Sequence, residues 1–236
     1  MNIALIIAGG VGQRMGQDIP KQFINVYDKP VIVYTMEAFQ KHPNIDGIEV
    51  VCLEGWHEVL YAYARQFGIT KLENIVPGGK NGQDSIRNGL NDIATRHEGN
   101  DIILIHDAIR PMLSQEIISD NLRVCKQYGN AITVVPCTAA MLKTYDSLSS
   151  TEQVARDNLK ITQTPQSFFL KDIVAAHKEA LEKGIISSVA SCTMYIELGK
   201  KLYMSTGSEK NIKLTTTEDV EIFKALLNAR KDNWMH

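Results

Sequence analysis

The chain begins with a short aliphatic run that leads directly into a glycine-rich loop. Residues 3–7 (IALII) are apolar, few in number and followed by glycines, which is typical of a buried β-strand. The loop at residues 8–12 contains Gly9, Gly10 and Gly12, whose missing side chains let backbone N–H groups approach a ligand closely. Oxygens that need several such donors usually belong to phosphate groups. The strand and the glycine-rich loop after it therefore indicate an α/β fold with a phosphate site at the end of its first strand.

Two cationic residues, Arg14 and Lys21, follow the loop, and Pro20 stiffens the chain just before the lysine. We therefore predict a cradle for a triphosphate. Two other glycine motifs fit poorly: Met15 stands where the dinucleotide fingerprint needs its third glycine, and no P-loop run is present. An ordinary strand-to-helix turn is the structural alternative for the glycines alone.

Composition restricts the class of protein. The 236 residues carry a formal net charge of −2, which gives no general affinity for nucleic acid or for an anionic membrane. We expect reduced thiols, because no cysteine spacing suggests a metal site or a C-x-x-C pair. We also expect a cytoplasmic protein, since no segment is apolar enough to span a membrane. The four scattered cysteines are Cys52, Cys125, Cys137 and Cys192.

Strand-like and helix-like segments alternate along the chain. This alternation predicts one domain over residues 1–236: a Rossmann-like, mostly parallel sheet with helices on both faces. Pro30 suits the first position of the first helix, and Ser114 suits the cap of a later one. The predicted strands are 3–7, 47–53, 74–76, 101–105 and 131–135, and the predicted helices are 30–42, 56–67, 83–95 and 115–128.

Residues 136–163 break this alternation. They lack a clear period, mix charged residues with serine and threonine, and contain short β-like pieces. Segments of this length without a helix are usually functional. We expect an extended β-arm that projects from the domain.

Loops at the carboxyl ends of parallel strands should carry the chemistry. Residues 77–85 form a glycine-rich, polar loop before a helix, and residues 106–111 (HDAIRP) follow a buried strand. Asp107 is placed as a Mg²⁺ ligand would be, because Mg²⁺ on nucleotides is held by one or two carboxylates and phosphate oxygens. Its alternative is an ion pair with Arg110 that holds the loop. His106 is a candidate base, although a packed, hydrogen-bonded histidine is the alternative.

Five motifs in order resemble one enzyme family: AGGVGQRMG with PKQF, GGKNGQDSIRNGL, HDAIRP, TQTPQSF and NIKLTTTEDV. The chain is similar over residues 3–226 to the CTP-dependent cytidylyltransferases that act on polyol phosphates. Two branches of that family use 2-C-methyl-D-erythritol 4-phosphate, for isoprenoid precursors, or ribitol 5-phosphate, for teichoic acids. The resemblance implies a seven-stranded nucleotidyltransferase sheet and a homodimer in which the arm, at about 137–163, embraces a second subunit.

The resemblance also implies roles for individual residues. Arg14 and Lys21 would stabilise charge at the α-phosphorus, Asp107 would bind Mg²⁺, and Glu209 or Asn211 would complete the metal site. Arg156 would reach into the neighbouring subunit and, with Lys213, hold the acceptor's phosphate. Arg110 and Thr164 would line the same pocket. The CTP-binding set would be Ala8, Gly9, Gly10, Gly12, Gly79, Ser85 and Ala108.

The acceptor half departs from the family's pattern. Ala139 and Ala140 stand where an aspartate and a threonine are usual, and Ser187 and Ser188 replace a Thr-Asp pair. Lost polar groups change which polyol is held, so the acceptor stays open between the two branches and a third polyol. The AGG of the first loop and Phe23 after PKQ favour ribitol phosphate slightly.

Two other function classes stay open. One is a nucleotidyltransferase that uses UTP or another nucleotide on a sugar phosphate, against which the short spacing from Met15 to Lys21 argues. The other is a homologue that binds CTP without turnover, which the alanine and serine replacements motivate. The retained Arg14, Lys21, Asp107 and Lys213 oppose it.

Overall fold

The computed structural model describes residues 1–10 and 19–232, with side chains up to residue 229. Its helices are α1 Val31–Gln40, α2 His57–Gln66, α3 Gly82–Ile93, α4 Gln115–Tyr128, α5 Leu170–Glu182, α6 Ser191–Glu197 and α7 Thr217–Asp232. Its strands are β1 Asn2–Ala8, β2 Asn25–Val26, β3 Lys29–Pro30, β4 Gly47–Cys52, β5 Leu72–Pro77, β6 Ile102–Asp107, β7 Asn130–Pro136, β8 Met141–Lys143, β9 Glu152–Val154, β10 Lys160–Phe169 and β11 Met204–Thr206.

Seven strands form one sheet in the order β11-β7-β10-β6-β1-β4-β5. Every pairing is parallel except those of β10, which runs antiparallel to both of its neighbours, β6 and β7. The predicted mostly parallel sheet is therefore confirmed. Because β1 and β6 lie side by side and parallel, the loops after both strands meet at one edge of the sheet.

Helices cover both faces of this sheet, and strand β1 shows why. Its side chains alternate between two buried cores, as the twofold period of a strand requires. Ala4 and Ile6 belong to the core beneath α1, α2 and α4, whereas Ile3 and Leu5 belong to the core beneath α3 and α5. A strand buried on both faces must be apolar throughout, which explains the continuous aliphatic run.

Helix α4 begins and ends at its capping residues. The Ser114 hydroxyl accepts a hydrogen bond from the Ile117 N–H and starts α4, and Gly129, at a φ of 94°, ends it in the left-handed region. Pro30 was predicted as the first residue of α1, but it precedes the helix and pairs with Asn25 in a small β2–β3 ladder. Its missing N–H suits either position.

Strand β10 was not predicted. Its first four residues lie in the segment expected to be irregular, and Pro165 interrupts its ladder with β7 between Thr162 and Gln166. A proline in mid-strand lacks the N–H that a ladder needs, so the sequence pattern argues against a central strand here. Within residues 137–163, β8 and β9 form a separate two-stranded sheet whose residues are all exposed.

The four cysteines are buried and unpaired. In the part of the chain that the structure describes, no helix is both long and apolar enough to cross a membrane.

Candidate active site

A cleft of about 460 Å³ opens at the sheet edge where β1, β5 and β6 end. Three loops form its walls, together with a segment that precedes α7. The predicted residues among its lining are Ala8, Gly9, Gly10, Lys21, Gly79, Ser85, Asp107, Ala108 and Lys213. Gly12 and Arg14 lie outside the described residues.

The first wall is the glycine loop after β1. Gln22 is buried, and its side-chain amide donates hydrogen bonds to the carbonyl oxygens of Ala8 (2.8 Å) and Gly10 (3.1 Å). The amide therefore fixes the backbone at both ends of the described loop. Gln22 was not predicted as a site residue, although it directly follows the predicted Lys21 in the PKQF motif.

The second wall is the loop between β5 and α3. The Ser85 hydroxyl donates to the Asn81 carbonyl (2.9 Å) and accepts from the Gly79 N–H (3.0 Å). A side chain at Gly79 would place its Cβ 2.4 Å from Cβ of Asp84, so only glycine fits there. A Cβ at Gly9 would lie 3.3 Å from the Ser85 hydroxyl oxygen, which shows how closely the two glycine loops approach each other.

The third wall carries the charges. The Asp107 carboxylate accepts a hydrogen bond from Arg110 Nε (3.0 Å) on one oxygen and from Lys213 Nζ (3.1 Å) on the other. Burial alone would raise the pKa of Asp107, but the charges of Lys213 and Arg110 hold it below its usual value. Asp107 is therefore an ionised carboxylate at neutral pH, and the alternative Asp107–Arg110 pair is present in the structure.

Asn211 supports this wall from behind. Arg110 donates to the Asn211 carbonyl (2.7 Å), and the Asn211 amide donates to the Thr164 carbonyl (2.9 Å). These bonds tie the segment that carries Lys213 to β10. Asn211 is fully buried and Glu209 is exposed, and neither lines the clefts.

A second cleft of about 290 Å³ adjoins the first. Asp107 and Lys213 line both clefts, so they lie where molecules bound in the two clefts would meet. Arg110 and Thr164, the predicted acceptor residues, line only the second cleft. Its other polar lining residues include Thr162, Gln163, Gln166 and Ser191.

His106 is among the residues that line the second cleft, although its side chain is fully buried. One ring nitrogen contacts the Arg110 carbonyl (3.2 Å) and the other contacts the Thr164 hydroxyl (3.0 Å). Burial lowers the pKa of His106 to about 4, so its ring is neutral at physiological pH. The hydrogen-bonded alternative for His106 is confirmed.

Arg156 is not part of this group. It lies at the base of the arm, is exposed, and donates a hydrogen bond to the Thr138 carbonyl (2.6 Å). With Pro136, Cys137 and Lys160 it borders a separate depression. Phe23 also lies away from the clefts, since it is buried in a stack against Trp56 with ring centroids 4.3 Å apart.

Comparison with known proteins identifies the family to which the chain belongs. The model of the IspD family, 2-C-methyl-D-erythritol 4-phosphate cytidylyltransferase, matches residues 2–229. The chain belongs to this family. It is therefore an enzyme of the cytidylyltransferase type, and the predicted family resemblance is confirmed.

Curated relatives come from both branches. The chain is 40% identical to a ribitol-5-phosphate cytidylyltransferase of Lacticaseibacillus paracasei, over 98% of this chain and 100% of the relative. It is 39% identical to a protein of the same name from Vibrio parahaemolyticus, over 98% of both chains. It is also 37% identical to a 2-C-methyl-D-erythritol 4-phosphate cytidylyltransferase of Clostridium botulinum, over 96% of this chain and 97% of the relative.

Solved structures share the fold. The 2-C-methyl-D-erythritol 4-phosphate cytidylyltransferase of Francisella tularensis superposes with a TM-score of 0.79 at 26% identity, over 94% of this chain and 98% of that one. The 4-diphosphocytidyl-2C-methyl-D-erythritol synthase of Anaerococcus prevotii gives 0.81 at 23% identity, over 96% of both chains. Together they confirm the predicted nucleotidyltransferase architecture.

Proposed function

We propose that the protein transfers CMP from CTP to the phosphate of a polyol phosphate, with release of pyrophosphate, and that ribitol 5-phosphate is its preferred acceptor. The observation that carries the proposal is the Asp107–Lys213 pair at the junction of two adjoining clefts. One cleft has glycine-rich walls suited to a triphosphate, and the other has polar walls suited to a small polyol.

The reaction needs no strong base. An oxygen of the acceptor's phosphate is already anionic near neutral pH and forms the new bond to the α-phosphorus of CTP, while the bond from that phosphorus to the bridging oxygen of pyrophosphate breaks. The difficulty is to bring an anion against a triphosphate, because like charges at contact repel strongly outside bulk water. Positioning and fixed cations are the means that phosphoryl-transfer sites use.

The chain offers both. We assign the triphosphate and nucleoside to Ala8, Gly9, Gly10, Gly79, Ser85 and Ala108, with Gly12 added from the predicted loop. Lys21 and Lys213 line the cleft and would stabilise charge at the transferring phosphorus, together with Arg14. Arg110 and Thr164 would hold the acceptor in the second cleft.

Mg²⁺ fits this donor set. Asp107 is ionised and lines the nucleotide cleft, and Mg²⁺ on nucleotides needs only one or two carboxylates besides phosphate oxygens. Among the described residues, no group of three or more His, Cys, Asp or Glu side chains is placed to hold a metal by itself. We therefore propose that Asp107 and the phosphates of CTP hold the ion together, where it would neutralise phosphate charge.

We further propose a homodimer in which the arm meets a second copy of the chain. The arm exposes large apolar side chains, with Leu142 at 68%, Tyr145 at 79% and Leu148 at 92% exposure. Apolar surface of this kind usually marks an interaction site. In such a dimer, Arg156 would act on the acceptor phosphate in the partner's cleft. A cytoplasmic location would supply the CTP.

The names of the relatives favour ribitol 5-phosphate over 2-C-methyl-D-erythritol 4-phosphate as the acceptor. The two most similar relatives given above carry the ribitol name at 40% and 39% identity, against 37% for the methylerythritol relative. The AGG loop points the same way. The product would be CDP-ribitol, the activated unit for ribitol-containing polymers such as teichoic acids, whereas methylerythritol phosphate would lead to isoprenoids.

The decisive experiment measures pyrophosphate release from CTP and Mg²⁺ with each of the two acceptors in parallel. Reactions without acceptor, with EDTA, and with UTP or ATP in place of CTP are the controls. We expect release with ribitol 5-phosphate and CTP, at a kcat/KM above that with methylerythritol phosphate. Faster turnover with methylerythritol phosphate would contradict the proposal that ribitol 5-phosphate is the preferred acceptor. Normal CTP binding without release would favour a homologue without turnover, and release with another nucleotide would favour the other nucleotidyltransferase class.

A further inference from the structure

His106 lines the second cleft, is fully buried, and joins two other residues of that cleft, Arg110 and Thr164. Its ring lies between the Arg110 carbonyl and the Thr164 hydroxyl, at 3.2 and 3.0 Å. Phe39 of α1 packs against the ring edge to face, with centroids 5.3 Å apart, and so prevents the ring from tilting. The Thr164 hydroxyl oxygen also accepts a hydrogen bond from the backbone N–H of Asp107, at 3.1 Å.

The partners of the ring determine where every proton lies. A carbonyl can only accept, so the ring nitrogen that faces Arg110, Nε2, carries the hydrogen. In a neutral imidazole the other nitrogen, Nδ1, is then an acceptor. The Thr164 hydroxyl must therefore donate its single proton to Nδ1. A continuous series of hydrogen bonds therefore runs from the Asp107 N–H through Thr164 and His106 to the Arg110 carbonyl.

These hydrogen bonds leave the Thr164 hydroxyl only one way to bind a ligand in the cleft, which is to accept a hydrogen bond. Its proton points at His106, and one lone pair is used by the Asp107 N–H, so only the second lone pair is available to a ligand. A phosphate oxygen also brings only lone pairs and forms no hydrogen bond with it. A polyol hydroxyl can donate to it.

We propose that His106 is a positioning residue for the acceptor: by holding the Thr164 proton, it makes Thr164 a hydrogen-bond acceptor that selects a polyol hydroxyl and leaves the phosphate to the cations. The proposal rests on the proposed function, since it assigns the second cleft to a polyol phosphate. It also separates the recognition of the polyol from that of its phosphate.

The kinetic test is a double-mutant cycle. His106→Gln keeps an amide donor for the Arg110 carbonyl and removes the acceptor for Thr164, whereas His106→Asn offers an amide oxygen near the position of Nδ1. Thr164→Val removes the hydroxyl with little change of shape. We expect His106→Gln and Thr164→Val each to raise KM for the polyol phosphate about tenfold, as for the loss of one buried hydrogen bond, with KM for CTP unchanged.

Two further variants complete the cycle. Since His106 acts through Thr164, the double variant should have the same acceptor KM as Thr164→Val alone, and His106→Asn should lie near the wild type. Additive effects in the double variant, or an equal rise in KM for CTP, would overturn the proposal. Thr164→Ser, which keeps the hydroxyl, should retain the wild-type acceptor KM.

A measurement on the unaltered protein does not depend on turnover. Long-range ¹H–¹⁵N spectra of the histidine rings report which nitrogen is protonated, and the His106 signals are those that vanish in His106→Gln. We expect Nε2 protonated and Nδ1 unprotonated. Protonation of Nδ1 would refute the proposal even if the enzyme uses a polyol phosphate. The expected tautomer in a protein that turns over no polyol phosphate would instead mark a failure of the proposed function.

Discussion

Asp107 and Lys213 lie 106 residues apart in the chain, yet their side chains meet at 3.1 Å between the two clefts. Lys213 is nearly half exposed, so it contributes little to stability through this pair. Its position beside an ionised carboxylate instead keeps an ammonium group where the substrates' phosphates would meet. Removal of the Lys213 side chain should therefore affect catalysis more than stability.

Lys213→Ala should lower kcat/KM by about 10²- to 10³-fold, the range seen when one group that stabilises developing charge is removed. Lys210→Ala is the matched control, because Lys210 is an exposed lysine on the same segment. The measurement is steady-state pyrophosphate release, with the melting temperature of each variant recorded alongside. Equal activity in the two variants would contradict the role of Lys213.

Helix α3 is the element that most directly couples packing to the nucleotide cleft, because it carries Ser85 on its first turn and packs on the sheet further along. Gly89 makes that packing possible. A Cβ at this position would lie 2.5 Å from Cδ1 of Leu5 and 2.8 Å from Cγ2 of Val51, two fully buried side chains. The helix therefore approaches the sheet more closely than any residue other than glycine allows.

Gly89→Ala should destabilise the protein, because overpacking costs about 1–3 kcal/mol and exceeds the gain of about 1 kcal/mol in helix propensity. Gly82→Ala, on the same helix, should be neutral or slightly stabilising, because no atom lies within 4 Å of the point that its new Cβ would occupy. Urea unfolding of both variants measures the difference. A stability of Gly89→Ala equal to that of Gly82→Ala would show that the sheet yields at this point.

Helix α5 carries a buried histidine, His177. It is 2% exposed, and neither ring nitrogen has a hydrogen-bond partner among the described residues. Burial, reinforced by the charge of Arg87, lowers the pKa of His177 to about 4. The folded protein therefore holds this ring neutral in a pH range where the unfolded chain protonates it.

Stability should consequently fall as the pH drops from about 6.5, the pKa of an unfolded histidine, toward 4. Between pH 7 and pH 5 this one residue should account for about 2 kcal/mol of lost unfolding free energy. His177→Leu should remove that part of the loss, whereas His57→Gln, at a partly exposed histidine, should retain it. Denaturant unfolding at the two pH values tests this, and identical pH dependence in His177→Leu and wild type would disprove it.

At the scale of the whole molecule, the separation of Arg156 from the clefts has a consequence for assembly. Within one chain, Arg156 bonds to Thr138 at the base of the arm and borders a depression of its own. If the proposed dimer supplies it to the partner's cleft, one active site uses residues of two chains. A dimer that combines a chain lacking Arg156 with a chain lacking Lys213 then contains one complete active site.

Arg156→Ala and Lys213→Ala should each be nearly inactive alone, and co-refolding or co-expression should restore activity. In a mixed dimer, one site receives an intact Lys213 from its own chain and an intact Arg156 from the other, so one site in two recovers. Wild type mixed with inactive Lys213→Ala serves as the dilution control. Absence of recovery, in samples shown by sedimentation to be mixed dimers, would argue against a shared site.

Local patterns in the sequence predict half of the strands and helices in the described part of the chain: β1, β4 to β7, and α1 to α4. The aliphatic runs of β1 and β6, the Ser114 cap and the glycine loops depend on neighbours within a few residues, so their signals survive in a single sequence. The central antiparallel strand β10 could not be predicted in this way. Pro165 argues locally against a strand, and only pairing with β6 and β7 on both sides overrides that preference.

The candidate site divides along the same line. The sequence by itself determined which residue types stand at the ends of the strands, because a motif such as HDAIRP is local, and the family resemblance named Lys213 and Thr164. The tertiary structure alone decided that Lys213 contacts Asp107, that Gln22 braces the first loop, and that the His106 ring contacts the Thr164 hydroxyl. The reason is that a hydrogen bond is set by distances of about 3 Å between groups far apart in the chain, and the packed fold alone specifies those distances.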